Sequence, residues 1–372
     1  MMETRIGTVR QVTARRPGLV EMEVELNGLI SRAVAYERIT GPIEVGDRVV
    51  LNTTAGALAL GSGGSDFVMI NLDRPEVELE GSGHIMKMRY TPWQCRVLSV
   101  EEEASPYHRL MQSVQDLEGL PVLVATLHSM LAPLCACLAM DGLRVAYVMT
   151  DAASLPIAWS RTVEQLKRSG LLMGTVTAGN AWGGDLEAVN IFSGLLAAKA
   201  VFKPDVIIVA MGPGIVGTGT KWGFSGVEQG VILNAVHSLK GIPVAVPRIS
   251  FADKRERHRG ISHHTLTVLE DVCQVTVKVP LPLLEPEKAA VIEGQVSVSS
   301  LPAKHDITYW DGGLVDVALA RYGLNPTTMG RNREEDHEFF LALGAAARFT
   351  INHIRKGSKE ANDARGQTPC II

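Results

Sequence analysis

Residues 205–214 read DVIIVAMGPG: a charged residue, an uninterrupted apolar run from Val206 to Met211, and then a Gly-Pro-Gly turn. A short apolar run bounded by a polar residue and by glycine is typical of a strand that is buried on both faces. The next periodic apolar segment, from about Val227 to Leu239, predicts a helix. A buried strand followed by a helix is the repeating unit of a parallel α/β sheet.

The same alternation extends along most of the chain. Further strands are predicted at residues Pro121–Ala125, Arg144–Thr150, Leu172–Thr177, Val244–Pro247 and Gln274–Val279. Further helices are predicted around Met130–Met140, Trp159–Arg168, Leu186–Lys199, Thr265–Asp271 and Asp336–Ile354. This order predicts a Rossmann-like parallel α/β domain over residues 104–372, and we expect the ligand site there.

The first hundred residues follow a different pattern. Short alternating runs at Arg5–Val12, Leu19–Leu26 and Ile30–Tyr36 are separated by turn residues, which predicts strands of a small β-barrel, closed or partly open. Glu101–Glu103 then marks a solvated boundary, and Ser105 before a proline predicts a helix N-cap. We therefore predict a small β-rich, barrel-like domain over residues 1–103.

Composition limits the class of protein. The chain has 372 residues, of which 46% are hydrophobic and 20% charged, and the net charge is -4. This composition predicts a globular protein of two domains rather than a disordered chain. No apolar run is long enough to cross a bilayer, and the odd number of cysteines, without any CxxC pair, favours free thiols. We therefore expect a cytoplasmic protein with no membrane partner.

The sequence offers one argument for nucleic-acid binding. Basic residues and one tyrosine of the N-terminal region could contact RNA or DNA; they are Arg10, Arg15, Arg16, Lys87, Arg89 and Tyr90. The acidic net charge and the scarcity of aromatic residues, 5% of the chain, argue against that partner. The sequence is compatible with a homo-oligomer and identifies no cofactor.

A glycine-rich segment follows the strand that ends at Met211. Its glycines and donor side chains are candidates for binding an anion near a helix N-terminus: Gly212, Gly214, Gly217, Thr218, Gly219, Thr220 and Lys221. The segment is not a Walker loop, because Lys221 follows Gly219-Thr220 instead of preceding a Ser or Thr, and it does not match GxGxxG. An ordinary glycine-rich turn is the alternative.

The densest group of reactive side chains follows the strand at Val244–Pro247. His258, His263 and His264 are candidate catalytic residues with Asp253, which could orient a histidine, and Arg259 is a candidate anion ligand. Metal binding stays open at this stage, because neighbouring residues of a helix do not share a face. We expect His263 and His264 to share a metal only from an irregular loop. The alternative is a solvated basic loop in which one of them caps a helix.

Two further segments carry polar residues after predicted strands or before the last helix. Asp185 is a candidate N-cap of the predicted helix Leu186–Lys199. Arg331, in Thr-Thr-Met-Gly-Arg, could clamp an anion. A surface turn with a helix-capping Thr is the alternative there.

Several segments together resemble one family. They are Asn52–Ala55, Gly83–Pro92, Trp222–Gly226, His258–Thr265 and Thr328–Arg331. The chain resembles the bacterial family called domain of unknown function 3866 over nearly its whole length. The family name implies no substrate and no catalytic residue.

Ligands of open α/β sheets lie at the carboxyl ends of the strands, where loops after neighbouring strands meet. We therefore expect His258, His263 and Asp253 to converge with the Gly212–Gly226 segment, provided that the two preceding strands are adjacent. The favoured function is an enzyme that acts on a small phosphorylated, nucleotide or otherwise anionic metabolite. The alternatives are a metabolite- or nucleotide-sensing binding protein without turnover, and nucleic-acid binding through the barrel.

Overall fold

The computed structural model describes residues 1–60, 64–151 and 153–366, with side chains described as far as Gly357. The chain divides into two compact units. One unit contains Met1–Leu98 together with Pro156–Arg161, and the other contains Ser99–Leu155 and Thr162–Ile372. We predicted that two independently folding domains meet at residue 103. Whether the two parts fold independently stays a prediction.

The first unit contains a closed five-stranded barrel. Its strands are β1 Thr4–Arg16, β2 Leu19–Leu26, β3 Leu29–Ala35, β4 Arg48–Asn52 and β5 Ser65–Asn71. They pair in the order β1-β2-β3-β5-β4, and β4 pairs back onto β1. Alternate residues of β2, among them Val20, Met22 and Val24, point into a buried apolar interior. The predicted small barrel is therefore present, in its closed form.

Short elements complete this unit. They are the helices α1 Glu37–Thr40 and α2 Thr54–Ala57, and the antiparallel pair β6 Ile85–Lys87 with β7 Cys95–Val97. Several of the basic residues that suggested nucleic-acid binding have contacts within the protein. Arg10 pairs with Glu25 at 2.7 Å, Arg15 pairs with Glu37 at 2.9 Å, and Lys87 is buried. Nucleic-acid binding gains no support from these contacts.

The second unit is built on an eight-stranded sheet. Its strands are β8 Pro121–Val124, β9 Val145–Thr150, β10 Gly174–Ala178, β11 Leu186–Ala188, β12 Val206–Met211, β13 Ile242–Ala245, β16 Lys278–Pro282 and β17 Asp306–Trp310, in the order β11-β10-β9-β12-β8-β13-β16-β17. Between β13 and β16, the two-residue strands β14 Ile249–Ser250 and β15 Gly260–Ile261 form a separate pair. All pairings in the large sheet are parallel, as the alternating sequence predicted.

Helices cover this sheet. They are α3 His108–Ser113, α4 Leu131–Ala139, α5 Arg161–Arg168, α6 Ile191–Ala197, α7 Glu228–Ser238, α8 His263–Thr267, α9 Pro286–Val298, α10 Leu301–Lys304, α11 Leu314–Tyr322 and α12 His337–Gly366. Helices α4, α11 and α12 contact one another, and α6 contacts α7. Every residue of β8, β9, β10 and β12 is buried, which is the pattern of a parallel sheet covered on both faces. The Rossmann-like fold prediction is correct.

Three local predictions need correction. Residues Leu186–Ala188 form the edge strand β11 rather than the start of a helix, and α6 begins only after Asn190. The reason is a capping box in which the Asn190 side chain accepts hydrogen bonds from Phe192 and Ser193. Asp185 is therefore no helix cap; its carboxylate accepts hydrogen bonds from Thr175 N and Oγ1, each at 2.9 Å.

The second correction concerns the sixth predicted strand. It lies at Lys278–Pro282 rather than at Gln274–Val279. Its two prolines lack the N–H donor of a normal strand residue, so the sequence pattern obscured it. The third concerns α3, which begins at His108; Ser105 Oγ accepts a hydrogen bond from Tyr107 N at 3.1 Å without capping the helix. No helix in the described part of the chain combines the length and apolar content that a bilayer crossing requires.

Candidate functional site

The segment after β13 forms a small hairpin. β14 pairs antiparallel with β15, so that Ile249 lies opposite Ile261. Beyond β15, Ser262 N donates to Arg248 O at 2.9 Å, and Arg248 N donates to Thr265 Oγ1 at 3.0 Å. The chain therefore returns to the point where the hairpin began. This return brings His258, which lies inside the hairpin, next to the start of α8.

Three imidazoles meet at this point. The ring centroid of His258 lies 4.9 Å from those of His263 and His264, which lie 4.3 Å from each other. One ring nitrogen of each histidine lies within 4.8 Å of the corresponding nitrogens of the other two. His258 is 1% exposed and His264 is 8% exposed, while His263 is half-buried. The three predicted histidines therefore form one cluster, named here the histidine cluster.

Ser262 organises this cluster. Its hydroxyl lies 2.8 Å from His258 Nδ1 and accepts a hydrogen bond from His264 N at 3.3 Å. The second contact makes Ser262 the N-cap of α8. The alternative interpretation, in which His263 or His264 caps a helix, is therefore wrong, because Ser262 is the cap. One serine side chain thus holds the His258 ring and begins the helix that carries the other two histidines.

His263 and His264 lie in the first turn of α8 and not in an irregular loop. Their ring centroids are nevertheless 4.3 Å apart, although adjacent residues of a helix do not usually share a face. Two nitrogens of these rings are buried without a hydrogen-bond partner among the described residues: Nε2 of His263, at the far end of its ring, and Nδ1 of His264, next to Cγ.

The surroundings of all three imidazoles favour their neutral form. Burial and the nearby Arg248 and Arg255 lower the pKa of His258 to about 4. Burial, with the neighbouring His263 and His258, lowers the pKa of His264 to about 3. The pKa of His263 is also lowered, by burial and by Arg257. A neutral imidazole carries one nitrogen lone pair that can accept a proton or bind a metal.

We expected Asp253 to orient a histidine, but its hydrogen bonds go to two arginines instead. Its buried carboxylate accepts hydrogen bonds from Arg248 at 2.9 Å and from Arg255 at 2.8 and 2.9 Å. The Arg255 hydrogen bond, with further help from Arg248, holds the Asp253 pKa well below its usual range. Asp253 therefore serves as the counter-ion of two arginines beside the cluster, and Ser262 takes the orienting position.

The glycine-rich segment closes on itself before α7 begins. Gly217 and Phe224 form an antiparallel bridge, and Thr218 N donates to Gly223 O at 2.7 Å. The hydroxyls of Thr218 and Thr220 lie 2.9 Å apart, and Thr220 Oγ1 accepts from Gly223 N at 3.1 Å. The turn that carries these donors therefore uses them internally. We name residues 212–224 the glycine loop.

The glycine loop contacts the histidine cluster. The Phe224 ring stacks on the His264 ring, with centroids 3.9 Å apart and planes at 4°. A Cβ atom placed on Gly217 would lie 3.4 Å from His264 Cε1, and one placed on Gly219 would lie 3.5 Å from Arg257 Nη2. Gly219 also has a φ of 82°, which favours glycine. The two predicted segments therefore come together.

They do so by a different route from the one predicted. The glycine loop follows β12 and the hairpin follows β13, but these strands are not adjacent, because β8 lies between them. The glycine loop, which has thirteen residues, and the hairpin therefore meet across the position of β8 in the sheet. The prediction assumed that strands consecutive in the sequence, β12 and β13, are also neighbours in the sheet. In the structure they are separated by β8.

The other predicted ligand residues are distributed around the site. Gly212 is buried near Leu155, and Gly214 has a φ of 108°. Lys221 pairs with Asp271 at 2.8 Å, Arg259 lies over the Phe251 ring at 5.6 Å, and Arg331 pairs with Asp336 at 2.9 Å. Thr328 and Arg331 bridge each other in a turn and cap no helix. Lys221 and Arg331 therefore have acidic partners within the protein, and Arg259 lies against an aromatic ring.

Sequence reasoning missed four residues of this region. Three of them contact or support the cluster: Phe224, Ser262 and Arg248. In the sequence, each of these residues is more typical of core packing or of a turn. Glu228, at the start of α7, accepts a hydrogen bond from Thr150 Oγ1 at 2.5 Å, and burial raises its pKa to about 7. A serine directly before two histidines was the one signal available, since serine is a preferred N-cap.

A comparison with protein families matches residues 32–347 to the family described as "Protein of unknown function (DUF3866)". The chain belongs to this family. The match includes the histidine cluster and the glycine loop and ends within α12. The family's description names no activity. No curated protein matches the chain.

Proposed function

We propose that this protein is an enzyme that acts on a small anionic metabolite, such as a phosphorylated compound or a nucleotide. The observation that carries the proposal is the contact between the glycine loop and the histidine cluster, where the Phe224 and His264 rings stack at 3.9 Å. Two segments after separate strands meet at the carboxyl edge of the parallel sheet. That edge is where open α/β sheets bind their ligands.

Arg257 supports the anionic nature of the substrate. Its guanidinium lies beside Gly219 and close enough to His263 to lower the pKa of that imidazole. The Arg257 side chain is exposed and makes no ion pair with any residue that the structure describes. Arg248 and Arg255 add positive charge, which Asp253 offsets in part. An arginine without a counter-ion beside a glycine-rich turn suits a phosphate or carboxylate group.

The histidine cluster supports catalysis over simple binding. The three imidazole rings lie with their centroids 4.3–4.9 Å apart. Binding of an anion does not require such a group, because a neutral imidazole attracts an anion only weakly. His263 Nε2 and His264 Nδ1 are buried without a hydrogen-bond partner among the described residues. Such nitrogens can accept a proton or bind a metal that acts on the substrate.

The test is an activity screen with matched histidine variants. Purified protein is incubated with a panel of phosphate esters and nucleotides, and products are detected by mass spectrometry. We expect turnover of at least one compound, a loss of about 100-fold or more in His263→Asn, and no change in His237→Asn, which alters an exposed histidine of α7. In Arg257→Ala we expect a raised KM at an unchanged melting temperature.

Two outcomes contradict the proposal. Stabilisation of the protein by an anion without any turnover would mark a sensing or binding protein instead. Turnover that survives His263→Asn would place the reaction elsewhere in the molecule. Melting temperatures of all variants distinguish a loss of activity from a loss of folding.

A further inference from the structure

We infer that His258, His263 and His264 form a binding site for one divalent transition-metal ion, with Zn²⁺ as the best chemical match. The inference deepens the proposed function, on which its catalytic meaning rests, because it names the ion that the same site would use. The primary observation is geometric: one ring nitrogen from each histidine lies within 4.8 Å of the other two. Imidazole nitrogen is a preferred ligand of Zn²⁺ and related divalent ions.

The unpaired nitrogens provide a second, independent observation. Nε2 of His263 and Nδ1 of His264 are both buried, and neither has a hydrogen-bond partner among the described residues. Leaving such an atom unpaired costs about 1–3 kcal/mol. Packing of rings against Phe224 explains why His264 is buried, but it gives neither nitrogen a partner. A metal ion bound by these nitrogens would supply the missing partner.

The third histidine is held in a suitable orientation. The Ser262 hydroxyl occupies Nδ1 of His258 at 2.8 Å, which leaves Nε2 of that ring as its free atom. Metal-binding histidines commonly use their second nitrogen in such a hydrogen bond, because it fixes the ring and its tautomer. Since Ser262 is also the N-cap of α8, the orientation of His258 is tied to the element that carries His263 and His264.

The spacing suits a small ion after slight movement. Zn–N bonds of about 2.0–2.1 Å in a tetrahedral site put nitrogens about 3.4 Å apart. Rotations of the side chains by less than about 1 Å at the nitrogen close the difference from 4.8 Å. The Asp253 carboxylate is engaged by Arg248 and Arg255, so the ligand set is three neutral imidazoles. Three protein ligands leave a fourth position for water or substrate, as catalytic zinc sites do.

This ligand set also explains why an anion would bind here. Three neutral imidazoles cancel none of the double positive charge of the ion. The ion and Arg257 would then attract the same negatively charged group from two sides. A bound water at the open position would be more acidic than bulk water, which is the chemistry that zinc supplies in hydrolytic sites.

The experiment measures binding of the metal alone. The purified full-length protein is treated with a chelator, dialysed, and titrated with Zn²⁺ by calorimetry, and bound metal is counted by elemental analysis. We expect one Zn²⁺ per chain and a higher melting temperature with the metal. In His263→Ala the affinity should fall by about 100-fold or more, and in the His237→Ala control it should not change. Co²⁺ should give the intense visible bands of a four-coordinate site in the wild type and lose them in His263→Ala.

His263 is the residue of choice for this test because it is half-buried, so its replacement disturbs the fold least. Absence of stoichiometric Zn²⁺ binding, or equal affinity in the wild type and His263→Ala, would overturn the inference. Zinc binding without turnover of any anion would leave the metal site standing and defeat the proposed enzyme function. Turnover by a protein that binds no Zn²⁺ would do the reverse.

Discussion

Phe224 lies flat against His264, with 3.9 Å between the ring centroids and 4° between the planes. Phe224 ends the glycine loop, and His264 belongs to the first turn of α8. This contact joins two segments that are far apart in the sequence, and the face of the imidazole that Phe224 covers is shielded from water. The nitrogens lie at the edge of the ring, so the stack leaves them available.

Replacing Phe224 should destabilise the protein strongly. The side chain is 4% exposed, and Phe224→Ala leaves a cavity that we expect to lower the free energy of unfolding by about 3–5 kcal/mol. Urea unfolding followed by circular dichroism measures the change. The control is Phe192→Ala, because Phe192 is 44% exposed and its loss should cost much less. Similar costs for the two variants would show that the stack contributes little to stability.

A bulky residue at Gly217 should impair ligand binding. A Cβ atom there already lies 3.4 Å from His264 Cε1 and 3.5 Å from Phe224 Cβ, so the outer methyl groups of valine must displace one ring. Inorganic phosphate should raise the melting temperature of the wild type, and this rise should be lost in Gly217→Val. Gly294→Ala is the control, because a Cβ at Gly294 meets nothing within 4 Å. A phosphate effect that persists in Gly217→Val would show that the loop is structural.

Asp253→Asn should break a buried ion pair. The side chains of Arg248 and Asp253 are 6% and 4% exposed and lie 2.9 Å apart. Leaving the Arg248 charge without its full counter-ion should lower the free energy of unfolding by about 3–5 kcal/mol. Asp73→Asn removes an exposed pair with Arg48 and should cost much less, because solvent screens that pair. Chemical denaturation at pH 7 compares them, and equal losses would argue against a structural role of the buried pair.

The contribution of Asp253 should depend on pH. Hydrogen bonds from Arg255 and the charge of Arg248 lower its pKa in the folded state, so the unfolded chain takes up this proton first as the pH falls. The stability contributed by Asp253 is therefore complete above the unfolded pKa of about 4 and decreases below it. The difference in unfolding free energy between the wild type and Asp253→Asn should shrink between pH 5 and pH 3, both values being about one unit from that pKa. A constant difference across this range would contradict the linkage.

Ser262→Ala should affect metal affinity beyond its effect on stability. Loss of the N-cap should cost about 1 kcal/mol, and release of the His258 ring should weaken Zn²⁺ binding by about 10–100-fold. Asn190→Ala is a matched control, because Asn190 caps α6 in the same way but lies outside the cluster. It should lose similar stability and keep the wild-type affinity. Equal affinities in both variants would mean that Ser262 acts only as a cap.

The sequence predicted the architecture well because parallel strands leave a local signal. Val206–Met211 is buried at every position, and a run of apolar residues before a glycine turn indicates such a strand without any knowledge of its neighbours. Strands with prolines, such as Lys278–Pro282, and the helix start at Asn190 were misplaced. In these places proline and a capping residue shift the boundary by a few positions, and patterns locate boundaries less precisely than elements.

The sequence also determined which segments would carry the reactive side chains. The histidines and glycines follow strands β13 and β12, and a parallel sheet turns the ends of such strands toward one edge. This inference requires only chain order and strand direction. The contact between the two segments was expected only for adjacent strands, and it is present although β8 lies between β12 and β13.

Only the tertiary structure decided the partners of individual side chains. Lys221 and Arg331 have the charge expected of anion ligands, yet Asp271 and Asp336 lie within 3 Å of them. Asp253 stands near His258 in sequence and pairs with arginines instead. A hydrogen bond or ion pair acts over about 3 Å, so its partner is the group that the completed fold brings nearest, and local sequence patterns carry no information about that distance.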